Sequence, residues 1–103
     1  AWDALLGFIR IATRPGIFAR PLEAETALQV VDRWISHPAA RIVHPGERHA
    51  SLLGRLLVGT GAAGNLTNDA HLAALAIEHG ATLGSFDRDF RRFAGLEFHL
   101  LRA

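Results

Sequence analysis

The sequence predicts a three-layer α/β domain with a mainly parallel sheet, and three observations carry that prediction. Apolar residues recur at helical spacing over four segments of the 103-residue chain. Two short runs near the C-terminus, Thr82–Ser85 and Glu97–Leu101, read as strands. Between the fourth helix and the first of these runs a glycine turn brings the chain back toward the edge it left.

Taken in order, Trp2 to Thr13 reads as an apolar helix with Leu5, Leu6, Phe8 and Ile9 clustered at helical spacing, stopped by Arg14-Pro15-Gly16. Leu22 to Ser36 is a second helix whose broad apolar face carries Leu28, Val30, Val31, Trp34 and Ile35. Glu23 and Glu25 near its start suit the helix macrodipole, and His37-Pro38 ends it. Arg41 to His44 is expected as a short strand. Pro45 opens a third helix, running to about Val58, with Leu52, Leu53, Leu56 and Leu57 as its core side. Gly59 to Gly64 is a glycine-rich loop. It lacks the Lys-Ser/Thr ending of a phosphate-binding loop and follows a helix instead of a strand, so it reads as a connection. Ala70 to His79 is the fourth helix, in which Ala70, Ala73, Ala74 and Ala76 permit close packing on a sheet. The strand Thr82–Ser85, a turn over Asp87 to Arg92 and the strand Glu97–Leu101 complete the chain.

Composition sets the class. Half of the residues are apolar, enough for one domain with a modest core. No run approaches the roughly 18 apolar residues of a membrane span. The absence of cysteine removes disulfides, zinc–thiolate sites and cysteine nucleophiles, and a cytoplasmic location is expected. All 11 basic residues are arginine. Its planar fork suits phosphate, although a GC-rich genome accounts for the same bias and a net charge of +1 does not by itself point to nucleic acid.

Chemistry is concentrated late in the chain. A helix of about ten residues rises roughly 15 Å, and five strand residues return about 16 Å. Asp69 before the fourth helix and Asp87 after the following strand therefore come to one sheet edge, outside the carboxyl ends of the strands, where α/β proteins bind ligands. Two acids meeting there make a candidate divalent-cation site. Asp89 stands next to Asp87, either sharing its work or capping the Arg91-Arg92 turn. Asp69 has a helix N-cap as its plain alternative, and Asp87 a turn-forming role. Arg88, Arg91 and Arg92 are placed to meet phosphates, or else form a solvated charged turn. Ser85 and Thr67 lie near enough to hydrogen-bond a phosphate or an aspartate, but no nucleophile–base pair accompanies Ser85. The six histidines form no H-x-x-x-H or H-E-x-x-H pattern. His71, two residues after Asp69, falls on a different helical face.

The run Asp69, Ala70, Ala73, Ala74, Ala76, Gly80, followed by Thr82, Leu83, Ser85, Asp87, Asp89, Phe90 and then Gly95-Leu96, resembles the C-terminal half of the PIN-domain ribonucleases of the VapC type. The upstream segment from Gly7 to Phe18, GFIRIATRPGIF, resembles a VapC subgroup common in actinobacteria, so the resemblance spans nearly the whole chain. It implies hydrolysis of RNA by an in-line water with Mg²⁺ or Mn²⁺, leaving a 5′-phosphate and a 3′-hydroxyl. Asp69 matches the family's third acid and Asp87 the acid after the penultimate strand.

The family's opening strand, with its Asp-x-Asn-x-Leu-Leu motif and first acid, has no counterpart here. The chain is therefore expected to be a single PIN domain, residues 1–103, lacking its first strand. It would be doubtfully active alone and open to complementation by that segment as a separate chain. The second acid belongs on the first helix, where Asp3 is the one carboxylate; a plain helix-start acid is its alternative. The resemblance also implies a VapB-type antitoxin partner, with Arg10 and Arg14 facing it, and a homodimer built on apolar parts of the first two helices. Two further readings remain open: an inactive PIN-like module that only binds an antitoxin, and another acid-metal phosphoesterase.

Overall fold

The computed structural model describes residues 1–13, 21–60 and 66–102. Contacts divide the chain into two compact units, Ala1–Ile42 and Val43–Ala103. The first holds helices α1 (Trp2–Ala12) and α2 (Ala24–Ser36). Both lie within one or two residues of expectation, while the predicted Arg14-Pro15-Gly16 stop lies outside the described residues. Phe8 of α1 meets Trp34 of α2 with ring centroids 4.7 Å apart and planes tilted by 59°. Ala27 and Val31 are the buried positions of α2. The apolar face is thus narrower than the sequence suggests, because Leu28 and Trp34 remain 55% and 48% exposed.

The segment expected as a strand at Arg41 to His44 is irregular. Its polar groups and those that follow are engaged by the end of a helix instead of a ladder. The His44 carbonyl lies 2.9 Å from Nε2 of His79. The Glu78 carboxylate accepts the N–H of Gly46 at 2.7 Å and of Arg48 at 3.0 Å. That contact also shifts α3 (His49–Thr60), which begins four residues later than Pro45 and extends through Gly59 and Thr60, both expected in a loop. Residues 61–65 of that loop lie outside the described residues. An anionic side chain just ahead of a helix start satisfies otherwise unpaired N–H groups and complements the dipole.

Helix α4 (Thr67–Glu78) starts three residues before the predicted Ala70. It ends in a Schellman arrangement. Gly80, at φ +62, turns the chain left-handed, the N–H of Ala81 donates to the carbonyl of Ala76 at 2.8 Å, and that of Gly80 to Ile77 at 3.1 Å. Strand β1 (Thr82–Ser85) then pairs in parallel with β2 (Glu97–Leu100), in the register Thr82 to Glu97 through Ser85 to Leu100. The 3₁₀ helix Arg88–Arg92 and a tight turn connect them. In that turn Leu96 N–H bonds the Phe93 carbonyl at 3.3 Å, and Gly95 at φ +85 supplies the left-handed third position of a type II turn.

The core of the second unit joins Leu52 and Leu56 of α3, Ala70, Ala73 and Ala74 of α4, and Phe90 and Phe93 of the connection. Leu83 and Phe98 of the strands pack against it. The alanines therefore serve helix–helix packing as well as the sheet contact expected of them. Phe90 stacks on Phe98 with centroids 6.0 Å apart, which ties the turn bearing the acids to β2. Helices packed with a parallel strand pair are the α/β arrangement the sequence predicts.

Candidate active site

Asp69 is the third residue of α4, whose N-cap position is Leu66 with no side-chain cap. It therefore does not cap the helix, and its carboxylate, half-buried in the first turn, stands near the positive end of the macrodipole. Its pKa is nonetheless raised above the ordinary 3.8. Partial burial is the largest cause, the negative charge of Asp87 the next; Arg92 opposes the shift and Asp89 adds to it. Carboxylates that repel one another in this way lie within electrostatic reach of one point.

Asp87 is held by its neighbours on both sides. Its backbone N–H donates to Oγ of Ser85 at 3.1 Å. Its Oδ1 accepts the N–H of Asp89 at 2.9 Å and so caps the 3₁₀ helix. The expected turn role is thus real, but it occupies one oxygen; the other accepts no hydrogen bond among the described residues. Asp89 is not the cap of the Arg91-Arg92 turn. Its carbonyl accepts from Nε of Arg92 at 3.1 Å and its Oδ2 lies 3.7 Å from Nη2 of the same arginine. Arg92 thus folds back over the turn, where it also offsets the charge on Asp69. Arg88 and Arg91 are exposed in that turn.

The second unit accordingly brings together Asp69, Asp87, Asp89 and Arg92, with Ser85 fixing the backbone of Asp87. Thr67 is exposed at the start of α4. Asp3 lies exposed in the first turn of α1, in the other unit. The side chain of Arg10 and all of Arg14 lie outside the described residues.

Among the described residues no group of three or more His, Asp or Glu side chains is arranged to hold a metal ion. The donors present are carboxylate oxygens whose mutual repulsion a cation would relieve. Magnesium needs only one or two carboxylates because it keeps several waters, so Asp69 and Asp87 fit a hard divalent ion.

Two features had no signal in the sequence. His49 of α3 and His71 of α4, 22 positions apart, are hydrogen-bonded through Nε2 and Nδ1 at 2.9 Å, with their rings at 77°. His49 is buried, and its Nδ1 has no hydrogen-bond partner among the described residues. Arg55 of α3 meets Arg92 across one cavity. An arginine on the exposed side of a predicted helix reads like any solvated charge.

The chain is similar to known proteins over nearly its whole length. Residues 4–96 match the PIN domain. Ribonuclease VapC37 of Mycobacterium tuberculosis is 50% identical over 98 residues, covering 95% of this chain and 68% of that protein. Ribonuclease VapC33 of the same species is 41% identical over 97 residues, 94% of this chain and 68% of the relative. VapC ribonuclease Mb2897 of Mycobacterium bovis is 44% identical over 96 residues, 93% of this chain and 65% of the relative. With nearly the whole chain matched, it belongs to the PIN-domain family, in the VapC branch.

Proposed function

We propose that this chain forms the catalytic part of a toxin endoribonuclease that hydrolyses RNA phosphodiesters with Mg²⁺ or Mn²⁺ and is held in check by a VapB-type antitoxin. What supports the reading is the setting of Asp69: its pKa is raised first by burial, then by the charge of Asp87 and, after the opposing pull of Arg92, by Asp89, so the three acids lie within electrostatic reach of one another. Asp69 and Asp87 would hold the ion, and Asp89 works beside them. When bound, the ion polarises the phosphoryl oxygen and lowers the pKa of an attacking water. Ser85 and the 3₁₀ turn hold Asp87 in place, and Arg92 offsets the accumulated negative charge. Arg88, Arg91 and Arg92 bind RNA phosphates, and Asp3 is the candidate for a further acid. A cytoplasmic location is part of this proposal; no helix among the described residues is long and apolar enough to cross a membrane.

Trp2, Leu6, Leu22, Leu28 and Trp34 are exposed on the first unit. Exposed apolar side chains of this kind suit an antitoxin or a second copy of the chain. The relatives extend beyond the matched region, which spans 68% of VapC37.

The test is cleavage of varied RNAs with Mg²⁺ or Mn²⁺, beside the double variant Asp69→Asn, Asp87→Asn. Cleavage abolished by chelator and by the variant supports the enzyme. A folded, metal-loaded, antitoxin-free protein that leaves every RNA intact supports a second reading, a PIN-like module that only binds its partner.

A further inference from the structure

A cavity of about 370 Å³ opens on the second unit between the last turns of α3 and the turn after the 3₁₀ helix. Its walls include Arg55, Leu56, Gly59 and Thr60 on one side, and Arg92 and Gly95 on the other. The volume falls at the small end of ligand pockets, about 300–1,000 Å³. Among the described residues no carboxylate lines it, although the chain has ten acidic residues to its eleven basic ones.

Its two charged groups are both guanidinium forks, brought from elements far apart in sequence. Arg55 makes no hydrogen bond or ion pair among the described residues. A terminal nitrogen of its fork lies 3.7 Å from where a Cβ on Gly95 would stand. The left-handed φ of +85 makes glycine the favoured residue there, so position 95 puts no side chain against the fork. Arg92 belongs to two places at once. It lines this cavity and also holds the Asp89 carbonyl at 3.1 Å within the acid cluster. The cavity and the acids are thus neighbours joined by one side chain.

From this geometry we infer that the Arg55–Arg92 cavity is a subsite for a backbone phosphate of single-stranded RNA, flanking the phosphodiester held at the acids. Two planar forks, that of Arg92 also shared with the Asp89 carboxylate at 3.7 Å, suit the paired oxygens of a phosphodiester. Leu56, Gly59 and Gly95 offer an apolar wall on which the attached ribose packs. The subsite rests on the ribonuclease reading and adds Arg55 to it as a residue that binds substrate without touching the reacting atoms.

The test is fluorescence anisotropy of a labelled single-stranded RNA of about ten nucleotides, measured in chelator over a range of salt. Binding is then read apart from cleavage. Each neutralised phosphate contributes about 0.7 to the salt slope on a single strand. Arg55→Ala is expected to weaken binding about tenfold, the range of one charged hydrogen bond, and to lower the slope by about 0.7. Arg55→Lys should keep the slope and recover part of the affinity, since lysine restores the charge without the fork. Arg33→Ala on α2 is the control for net charge.

An unchanged slope in Arg55→Ala overturns the subsite, as does an equal drop in Arg33→Ala or an absence of RNA binding by the unaltered protein. Metal-dependent cleavage that persists alongside an unchanged slope leaves the ribonuclease reading standing and removes only the subsite. In cleavage assays Arg55→Ala should raise KM with kcat nearly unchanged; an unchanged KM would count equally against the subsite.

Discussion

Asp87 caps the 3₁₀ turn with one oxygen, the proposed function gives the other to a metal ion, and substitution can separate the two. Asp87→Asn keeps an oxygen to accept the Asp89 N–H, now at 2.9 Å, but removes the charge. Cleavage should fall by more than about a hundredfold, beyond the 10–100-fold typical of losing a supporting group at a metal site. The melting temperature should barely move. Asp87→Ala also loses the cap and should cost about 1 kcal/mol in addition, read by urea denaturation. Equal melting of the two variants would remove the capping role. Asp69 responds in the opposite sense. Its folded pKa lies above the ordinary 3.8, chiefly through burial and then Asp87, so its ionised form disfavours the fold at neutral pH. That cost disappears as pH falls through the raised value. Asp69→Asn should therefore raise the metal-free melting temperature at pH 7, with a gain that shrinks on acidification, while cleavage is lost. A lower melting temperature for this variant at pH 7 would contradict the assignment.

At the level of elements, α3 and α4 are joined at one end by Glu78 and along their length by alanine. Glu78 is held below its ordinary 4.5, first by the Gly46 N–H and further by Arg48. A depressed acid stabilises the fold above its unfolded value, and that contribution is lost as pH falls through the folded one. Glu78→Gln should therefore lower stability at pH 7 and flatten the fall in melting temperature below about pH 4.5, the ordinary value. An unflattened curve would assign the acid loss elsewhere. A Cβ on Gly46 would stand 2.5 Å from the Glu78 carboxylate, so Gly46→Ala should weaken the same tie. Ala74 is fully buried, and Ala74→Leu should cost about 1–3 kcal/mol by overpacking, again read in urea.

At the scale of the molecule, a net charge of +1 means that affinity for RNA must come from a local patch. Arg91→Ala with Arg92→Ala should lower the salt slope for single-stranded RNA by about 1.4, two phosphates at about 0.7 each. An unchanged slope would return the turn to ordinary solvation. The exposed apolar residues of α1 and α2 have a matching expectation. Leu28→Glu with Trp34→Glu should shift sedimentation toward the monomer, or release the antitoxin, without altering the acid cluster.

Much of this was legible in the chain. Helical periodicity located all four helices, and β1 appears at its predicted limits, Thr82–Ser85. The expectation that Asp69 and Asp87 share one edge rested on one helix length and one strand length, both fixed by backbone geometry. What could not be read there depends on partners distant in sequence. The strand expected at Arg41 to His44 is absent because Glu78 and His79, over thirty positions later, engage the polar backbone there and just beyond. The division of Asp87 between cap and site, the His49–His71 pair and the meeting of Arg55 with Arg92 have the same origin. Local pattern sets which face of an element is apolar; the packing of α3 on α4 and the turn at Gly95 set which polar groups meet, since no periodicity records a contact between side chains on separate elements.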